Sequence, residues 1–261
     1  MSGLTLIMNA AEGLLQLAVL RDGQRLFAQA WDAPSRGTEL LTPALREGFA
    51  RMHLSIGDID RIACVNGPGS FTGLRLVLST AAALARSTGA QTAGIDYMHA
   101  LADRACQLPG MLVWAVTHAR RGLVHMQGFT TRGCDSLPVP VARVEALNLQ
   151  GAVERILRFG GAPVVLGSGL SRNRAFFAEH LPAALLLPAD HDQPTIQSLI
   201  RLTAAATWSH DDVQPFYLRP CDAEENLADL VTRRGIDPDA ARNTLARLTT
   251  LSADESACRQ F

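Results

Sequence analysis

The chain has 261 residues, 48% of them hydrophobic, with 24 basic against 25 acidic residues. That is enough for one large domain or two small ones with real cores, and the near-neutral balance sets up no global field to attract nucleic acid. No apolar run approaches the ~20 residues of a membrane span, and the first residues lack the basic, apolar and small-residue order of a secretory leader, so the expected location is the cytoplasm, with no membrane partner.

Residues 4–8 read as a strand, 9–13 as a turn and 14–20 as a second strand. Asp22-Gly23 is a hairpin signal, and 24–30 returns as a third strand. Residues 38–52 read as a helix, because Leu41, Leu45, Phe49 and Met52 recur at spacings of three and four. Thr38 with Glu39 provides a start signal. A strand over 61–66, a helix over 71–86, a strand over 91–95 and a helix over 96–107 follow. Three strands followed by alternating helices and strands predict an α/β domain with a mixed sheet.

A second set begins with paired strands over 111–116 and 123–129 around Arg120-Arg121-Gly122. Residues 144–159 read as mostly helical and 164–166 as a short strand entering Gly167-Ser168-Gly169. The 182–188 segment is apolar and bounded by prolines, and 195–208 is a helix rich in alanine and leucine. Residues 223–234 and 238–248 read as two amphipathic helices parted by Gly235-Ile236-Asp237, with Asp237-Pro238 as a clean helix start.

The most informative stretch is Asn66-Gly67-Pro68-Gly69-Ser70-Phe71-Thr72-Gly73-Leu74-Arg75. It joins an apolar strand to an apolar helix. Its glycines turn the backbone where a side chain would clash, and Ser70 or Thr72 caps the helix. Such a turn at a helix N-terminus offers free N–H groups to an anion, so Gly67, Gly69, Ser70, Thr72 and Gly73 are the candidate anion or nucleotide turn. The plainer alternative is a tight strand-to-helix connection that binds nothing.

As a string, Gly67 to Arg75 resembles the signature of the TsaB family, also called YeaZ, bacterial relatives of the so-called glycoprotease proteins. Thr38-Glu39-Leu40-Leu41-Thr42-Pro43 is similar to the family's His-Ser-Glu-Leu-Leu-Pro helix start, and Ala119-Arg120-Arg121-Gly122 to its Asp-Ala-Arg-Arg-Gly turn. Gly167-Ser168-Gly169 sits where the family has a late glycine turn, and Pro215-Phe216-Tyr217-Leu218-Arg219 resembles its Pro-x-Tyr-Leu-Arg ending. The resemblance implies a two-lobed actin-like, Hsp70-like (ASKHA) α/β fold with mixed sheets. A first lobe is expected over 1–103, a second over 104–192, a segment returning to the first lobe over 193–222, and a helical C-terminal extension, which the resemblance hardly reaches, over 223–261.

Reactive groups are missing where chemistry is expected. Nucleotide-binding members of this superfamily carry an acidic residue and hydroxyls in the first hairpin, and the TsaB family has Asp-Thr-Ser there; the matching residues are Asn9-Ala10-Ala11. An amide is a weak magnesium ligand, and the charge of nearby Glu12 repels phosphate. The family's His-Ser-Glu is Gly37-Thr38-Glu39, and the Asp of its arginine turn is His118. No two of the seven histidines are three or four residues apart, which excludes a helical His pair. His118 and His125, with Asp96 or Asp103 near, are the one remaining metal candidate, and none is expected. All basic residues are arginine, so no phosphate-loop or Schiff-base lysine exists. The five cysteines are odd in number and widely spaced, which fits neither a disulfide framework nor a zinc site, and Cys64 reads as a core residue. Gly167-Ser168-Gly169 is not a nucleophile elbow, so no catalytic residue is assigned and peptidase activity is not expected.

The resemblance therefore implies a non-catalytic partner in threonylcarbamoyl transfer to tRNA adenosine. In that family TsaB binds the catalytic TsaD subunit, an ATPase called TsaE joins the complex, and tRNA is met only indirectly. The matching helices carry Leu41, Leu45, Phe49, Leu74, Leu78 and Ala82 as candidate partner-binding residues, and the same surface supports a homodimer when the partner is absent. No cofactor is expected beyond weak ATP or ADP binding. Two other roles stay open: a diverged homodimer without the modification role, and a weak nucleotide-binding protein of the same fold.

Overall fold

The structure is a computed structural model that describes residues 3–105, 109–133, 135–218 and 237. The helices expected over 223–234 and 238–248, and Cys106, Cys134, Cys221 and Cys258, lie outside the described residues.

The first sheet starts with β1 (Leu4–Asn9), β2 (Leu14–Arg21) and β3 (Gln24–Asp32). The β2–β3 turn falls at Asp22 and Gly23, both with positive φ. Helix α1 (Gly37–Arg51), β4 (Ile59–Gly67), α2 (Phe71–Thr88) and β5 (Gln91–Asp96) follow. The strand order is β3-β2-β1-β4-β5; the first three strands are antiparallel, and β4 and β5 run parallel to β1. Leu6, Ile7 and Met8 are all at most 1% exposed. Successive strand residues point to opposite faces, so both faces of this sheet are covered.

Helix α3 (Tyr97–Ala102) leads to the second sheet. Its elements are β6 (Pro109–Arg120), β7 (Leu123–Arg132), β8 (Val139–Pro140), β9 (Glu145–Asn148), α4 (Leu149–Leu157), β10 (Val164–Leu166), α5 (Ser168–Arg172), α6 (Arg174–His180) and β11 (Leu185–Leu186). Here β7 pairs antiparallel with β6, β8 and β9, while β10 runs parallel to β6 and β11 parallel to β10. The two sheets therefore repeat one plan: an antiparallel hairpin, further antiparallel pairing on one side, and two parallel strands on the other. A second core of Trp114, Val116, Val124, Met126, Ile156, Leu170 and Phe177 fills this half. Helix α7 (Ile196–Ala204) then packs on β1, β2 and β5 of the first sheet.

Three expectations needed adjustment. Residues 145–148 are a strand and not helix, because Glu145 to Asn148 pair with Met126 to Leu123. Asn148 then caps α4 by accepting from the Gly151 N–H at 2.7 Å. Four residues are too few for periodicity to separate strand from helix. Helix α5 arises where a glycine turn is expected at 167–169, and α6 follows where the sequence predicts no element. Helix α7 stops at Ala204 because the chain beyond it pairs with β5 through Thr92 and Ser209.

Candidate functional site

The glycine turn closes onto the first hairpin. Ser70 N–H donates to Ala11 O at 2.6 Å, and Ser70 Oγ accepts from Gly73 N–H at 3.4 Å, which caps α2. A Cβ at Gly69 would lie 2.5 Å from Ala11 O, and one at Gly73 would overlap Ala10 O. Gly67 has φ +131 and backs onto the Phe216 carbonyl. These close approaches account for all three glycines, and two of the turn's N–H groups, those of Ser70 and Gly73, already have protein acceptors. Thr72 is exposed at the first turn of α2. Together with Ala10, Leu14, Gly37, Thr38, Ser70 and Gly73 it lines a cavity of about 260 Å³.

In the hairpin, Asn9 is fully buried. Its Oδ1 accepts from Ala11 N–H at 2.9 Å and its Nδ2 donates to Gln16 Oε1 at 2.7 Å. Gln16 Nε2 in turn donates to Pro194 O at 3.0 Å. Glu12 reaches the other lobe. Its Oε1 accepts from Ser168 Oγ at 2.5 Å, and its Oε2 lies 2.8 Å from Tyr97 Oη. Burial pushes the Glu12 carboxyl up to about 7, with Asp192 adding to the rise against the pull of Ser168, Tyr97 and Arg172. His118 donates its backbone N–H to Ser168 Oγ at 2.9 Å. Burial, then Arg172, lowers the His118 imidazole below its usual range.

The residues expected to meet a partner divide by burial. Leu41, Leu45, Phe49, Leu74 and Leu78 lie in this chain's own core, all at most 9% exposed, and Ala82 is partly buried. Their periodicity marks the face that covers the sheet. The outer side of the same helices carries Phe71 and Arg75 on α2 and Thr38 on α1. Phe71 and Tyr217 are each 39% exposed, with ring centroids 5.6 Å apart, and the Arg75 guanidinium stands 3.9 Å over the Phe71 ring. With Leu76, Ser79 and Pro215 these residues line an apolar groove of about 600 Å³. Tyr217 arrives there because Phe216 N–H donates to Asn66 O at 2.7 Å and Asn66 Nδ2 to Gln214 O at 3.2 Å. Of the residues selected by spacing only Leu78 also lines this groove, and Phe71, Arg75 and Tyr217 are not among them. Phe71 continues the stripe of Leu74 and Leu78, so periodicity does not set it apart, and no local pattern encodes the pairing of Asn66 with residues 214–216. The ending Pro215-Phe216-Tyr217 was the available signal.

The histidines do not converge. His125 lies opposite Thr117 and His118 opposite Val124, so the two imidazoles leave opposite faces of the β6–β7 hairpin. Asp96 caps α3 by accepting from His99 N–H at 2.7 Å, and Asp103 pairs with Arg201 at 3.2 Å. No group of three or more His, Cys, Asp or Glu suited to a metal occurs among the described residues. No helix among them is long and apolar enough to cross a membrane. Cys64 is buried with its thiol pushed up to about 12.

Two mixed sheets of one topology, each with a glycine turn closing on the facing hairpin, define the two-lobed actin-like class. Comparison with known proteins narrows this. Residues 33–136 match the family described as TsaD, tRNA N6-adenosine threonylcarbamoyltransferase. An uncharacterized protein of Mycobacterium tuberculosis is 29% identical over 188 residues, 71% of this chain and 76% of that one. The tRNA threonylcarbamoyladenosine biosynthesis protein TsaB of Buchnera aphidicola is 25% identical over 141 residues, 51% of this chain and 60% of that one. YeaZ from Pseudomonas aeruginosa superposes with a TM-score of 0.67 at 19% identity, over 83% of this chain and 100% of that chain. The chain resembles the TsaB (YeaZ) family in sequence and shares the YeaZ fold.

Proposed function

We propose that this chain is a non-catalytic accessory subunit in the threonylcarbamoyl modification of tRNA adenosine, and that it acts by docking on a TsaD-type catalytic subunit. The observation that carries the reading is the apolar groove between Phe71, Leu76 and Tyr217, on the helices that match the family's partner-binding pair. Aromatic and arginine side chains are the residue types that anchor protein interfaces. A TsaE-type ATPase joins through the complex, tRNA is met indirectly, and the working compartment is the cytoplasm.

The hairpin does not fit a magnesium nucleotide. Both polar atoms of the Asn9 amide are engaged by Ala11 and Gln16, and the nearest carboxylate, Glu12, is turned to Ser168 and Tyr97. The chain therefore contributes shape and surface, and no step of the transfer runs through its own side chains.

Size-exclusion chromatography with light scattering tests this. The chain is mixed with the TsaD-type protein of the same organism, with and without ATP. A defined heteromeric peak is expected, and its loss in a Phe71→Ala/Tyr217→Ala chain places the contact. A chain that stays a homodimer at micromolar concentration overturns the reading in favour of a diverged relative.

A further inference from the structure

We infer that Glu12 is a proton-sensitive tie between the two lobes, switching the hydrogen-bond direction through Tyr97 to Gln193. The geometry rests on a shared hydroxyl. Tyr97 Oη lies 2.8 Å from Glu12 Oε2 and also 2.8 Å from Gln193 Oε1. A phenol has one hydrogen and cannot donate to both. With Glu12 neutral, its O–H donates to Tyr97 and the tyrosine hydrogen goes to Gln193 Oε1. With Glu12 ionised, Tyr97 donates to Glu12, and the Gln193 amide has to turn and present its NH2 group.

Both ends of this relay are attached to structure. Glu12 sits at the tip of the β1–β2 hairpin in the first lobe. Ser168, which it holds, opens α5 in the second lobe and also accepts the His118 N–H from β6. Gln193 belongs to the segment that leads into α7; its carbonyl accepts from Arg104 Nη1 at 2.9 Å, and the next carbonyl, Pro194 O, accepts from Gln16 of β2. One carboxyl therefore connects the hairpin, the α5 turn and the strap before α7.

The charged and titratable groups around it are mixed. Asp192 opposes ionisation of Glu12 and Arg172 favours it, with Tyr97 and Ser168 as direct partners. Asp192 is held by Ser171 Oγ at 2.7 Å, with Arg172, His191 and Arg104 facing it, and Asp190 faces Arg104. His118 faces Arg172. Burial dominates this balance, so the tied arrangement keeps its proton to about 7, whereas a carboxyl freed from it releases the proton near 4.5. The tie is therefore strongest below about 4.5, weakens as pH rises to about 7, and is constant above that. Between these limits the ratio of tied to untied molecules changes by at most about tenfold per pH unit.

Carbon-13 NMR of the glutamate carboxyls tests the titration, with Glu12 assigned by the peak missing in Glu12→Gln. Amide hydrogen exchange, corrected for intrinsic pH dependence, follows the His118 N–H that bonds Ser168. The expected result is a Glu12 midpoint near 7. His118 protection should fall as pH rises from about 4.5 to about 7, level off above that, and be independent of pH in Glu12→Gln. A Glu12 midpoint in the ordinary carboxyl range overturns the inference, as does protection that ignores the titration. Should Glu12→Gln fail to fold, Ser168→Ala decides. Loss of that donor should raise the Glu12 midpoint further, and an unchanged midpoint overturns the tie. Neither readout depends on a TsaD-type partner, so this inference and the accessory-subunit reading fail independently.

Discussion

Gly69 and Gly169 occupy matching places in the two sheets, each pressed against the carbonyl of the hairpin it faces. A Cβ on Gly69 would stand 2.5 Å from Ala11 O, and one on Gly169 2.8 Å from Thr117 O. Each follows a parallel strand whose last turn residue, Gly67 or Gly167, has a positive φ of 131° or 111°. The repeat of this close approach in both lobes makes the glycine turn an architectural joint, although α2 starts after the Ser70 cap and α5 directly after Gly167.

The joint predicts a graded glycine series. In Gly73→Ala the new methyl overlaps Ala10 O, a backbone atom that cannot swing aside. The expected loss is about 3 kcal/mol of stability, the upper end of the usual range for overpacking and strain in cores. Gly89 has a φ of +77° at the end of α2, but open space around its Cβ position. Gly89→Ala should therefore lose only about 1 kcal/mol. Urea unfolding of the three chains measures both. Equal losses would mean that the Ala10 contact is not the constraint.

A second prediction separates surface from core on the same helices. Phe71→Ala and Tyr217→Ala remove side chains that are each 39% exposed, so stability should fall by no more than about 1 kcal/mol while binding to a TsaD-type subunit weakens at least about tenfold. Leu45→Ala opens a cavity in the core, where such truncations lose about 2–5 kcal/mol. Thermal melts and binding titrations run side by side distinguish the two. A Phe71→Ala/Tyr217→Ala chain that binds like the parent removes the groove from the interface.

Much of the architecture was legible because its signals are local. The hairpin at Asp22-Gly23, the stripe of Leu41, Leu45 and Phe49, and the Ser70 cap each rest on a few adjacent residues. The repeat of the two sheets was not legible, since it resides in strand pairing and not in identity. At the site, spacing selected Leu74 and Leu78 because amphipathic periodicity reports the face turned inward. Phe71 and Tyr217 meet only through Asn66, whose partners lie about 150 residues away. Glu12 was noted as a nearby charge, yet its partners Tyr97 and Ser168 come from elements 85 and 156 residues downstream.

Cys64 should be inert in the folded chain. It is fully buried beside Ala93 O, and burial pushes its thiol up to about 12, so the thiolate that reacts is absent at neutral pH. Mass mapping after treatment with a maleimide should find the Cys64 peptide unlabelled in buffer and labelled in urea. Labelling of Cys64 in buffer within minutes would show that the first sheet opens far more often than its burial implies.

Asn9→Asp restores the carboxylate that the family carries in the first hairpin, and it should not restore nucleotide binding. Asn9 donates Nδ2 to Gln16 Oε1, and Gln16 uses its own Nε2 on Pro194 O. A carboxylate at residue 9 faces the Gln16 oxygen. Turning the Gln16 amide to satisfy it would point that oxygen at the Pro194 carbonyl. One buried acceptor is left without a donor in either arrangement, a loss of about 1–3 kcal/mol, and more while the group is charged. The variant should therefore melt lower than the parent at pH 7, and the difference should shrink as acid neutralises the new carboxyl. Isothermal calorimetry with ATP and magnesium should stay flat, because Ala10 and Ala11 still provide no hydroxyl and Glu12 still faces Ser168. Saturable magnesium-dependent ATP binding by Asn9→Asp would show that a single amide had silenced a working nucleotide site, and would move the nucleotide-binding reading ahead of the accessory subunit.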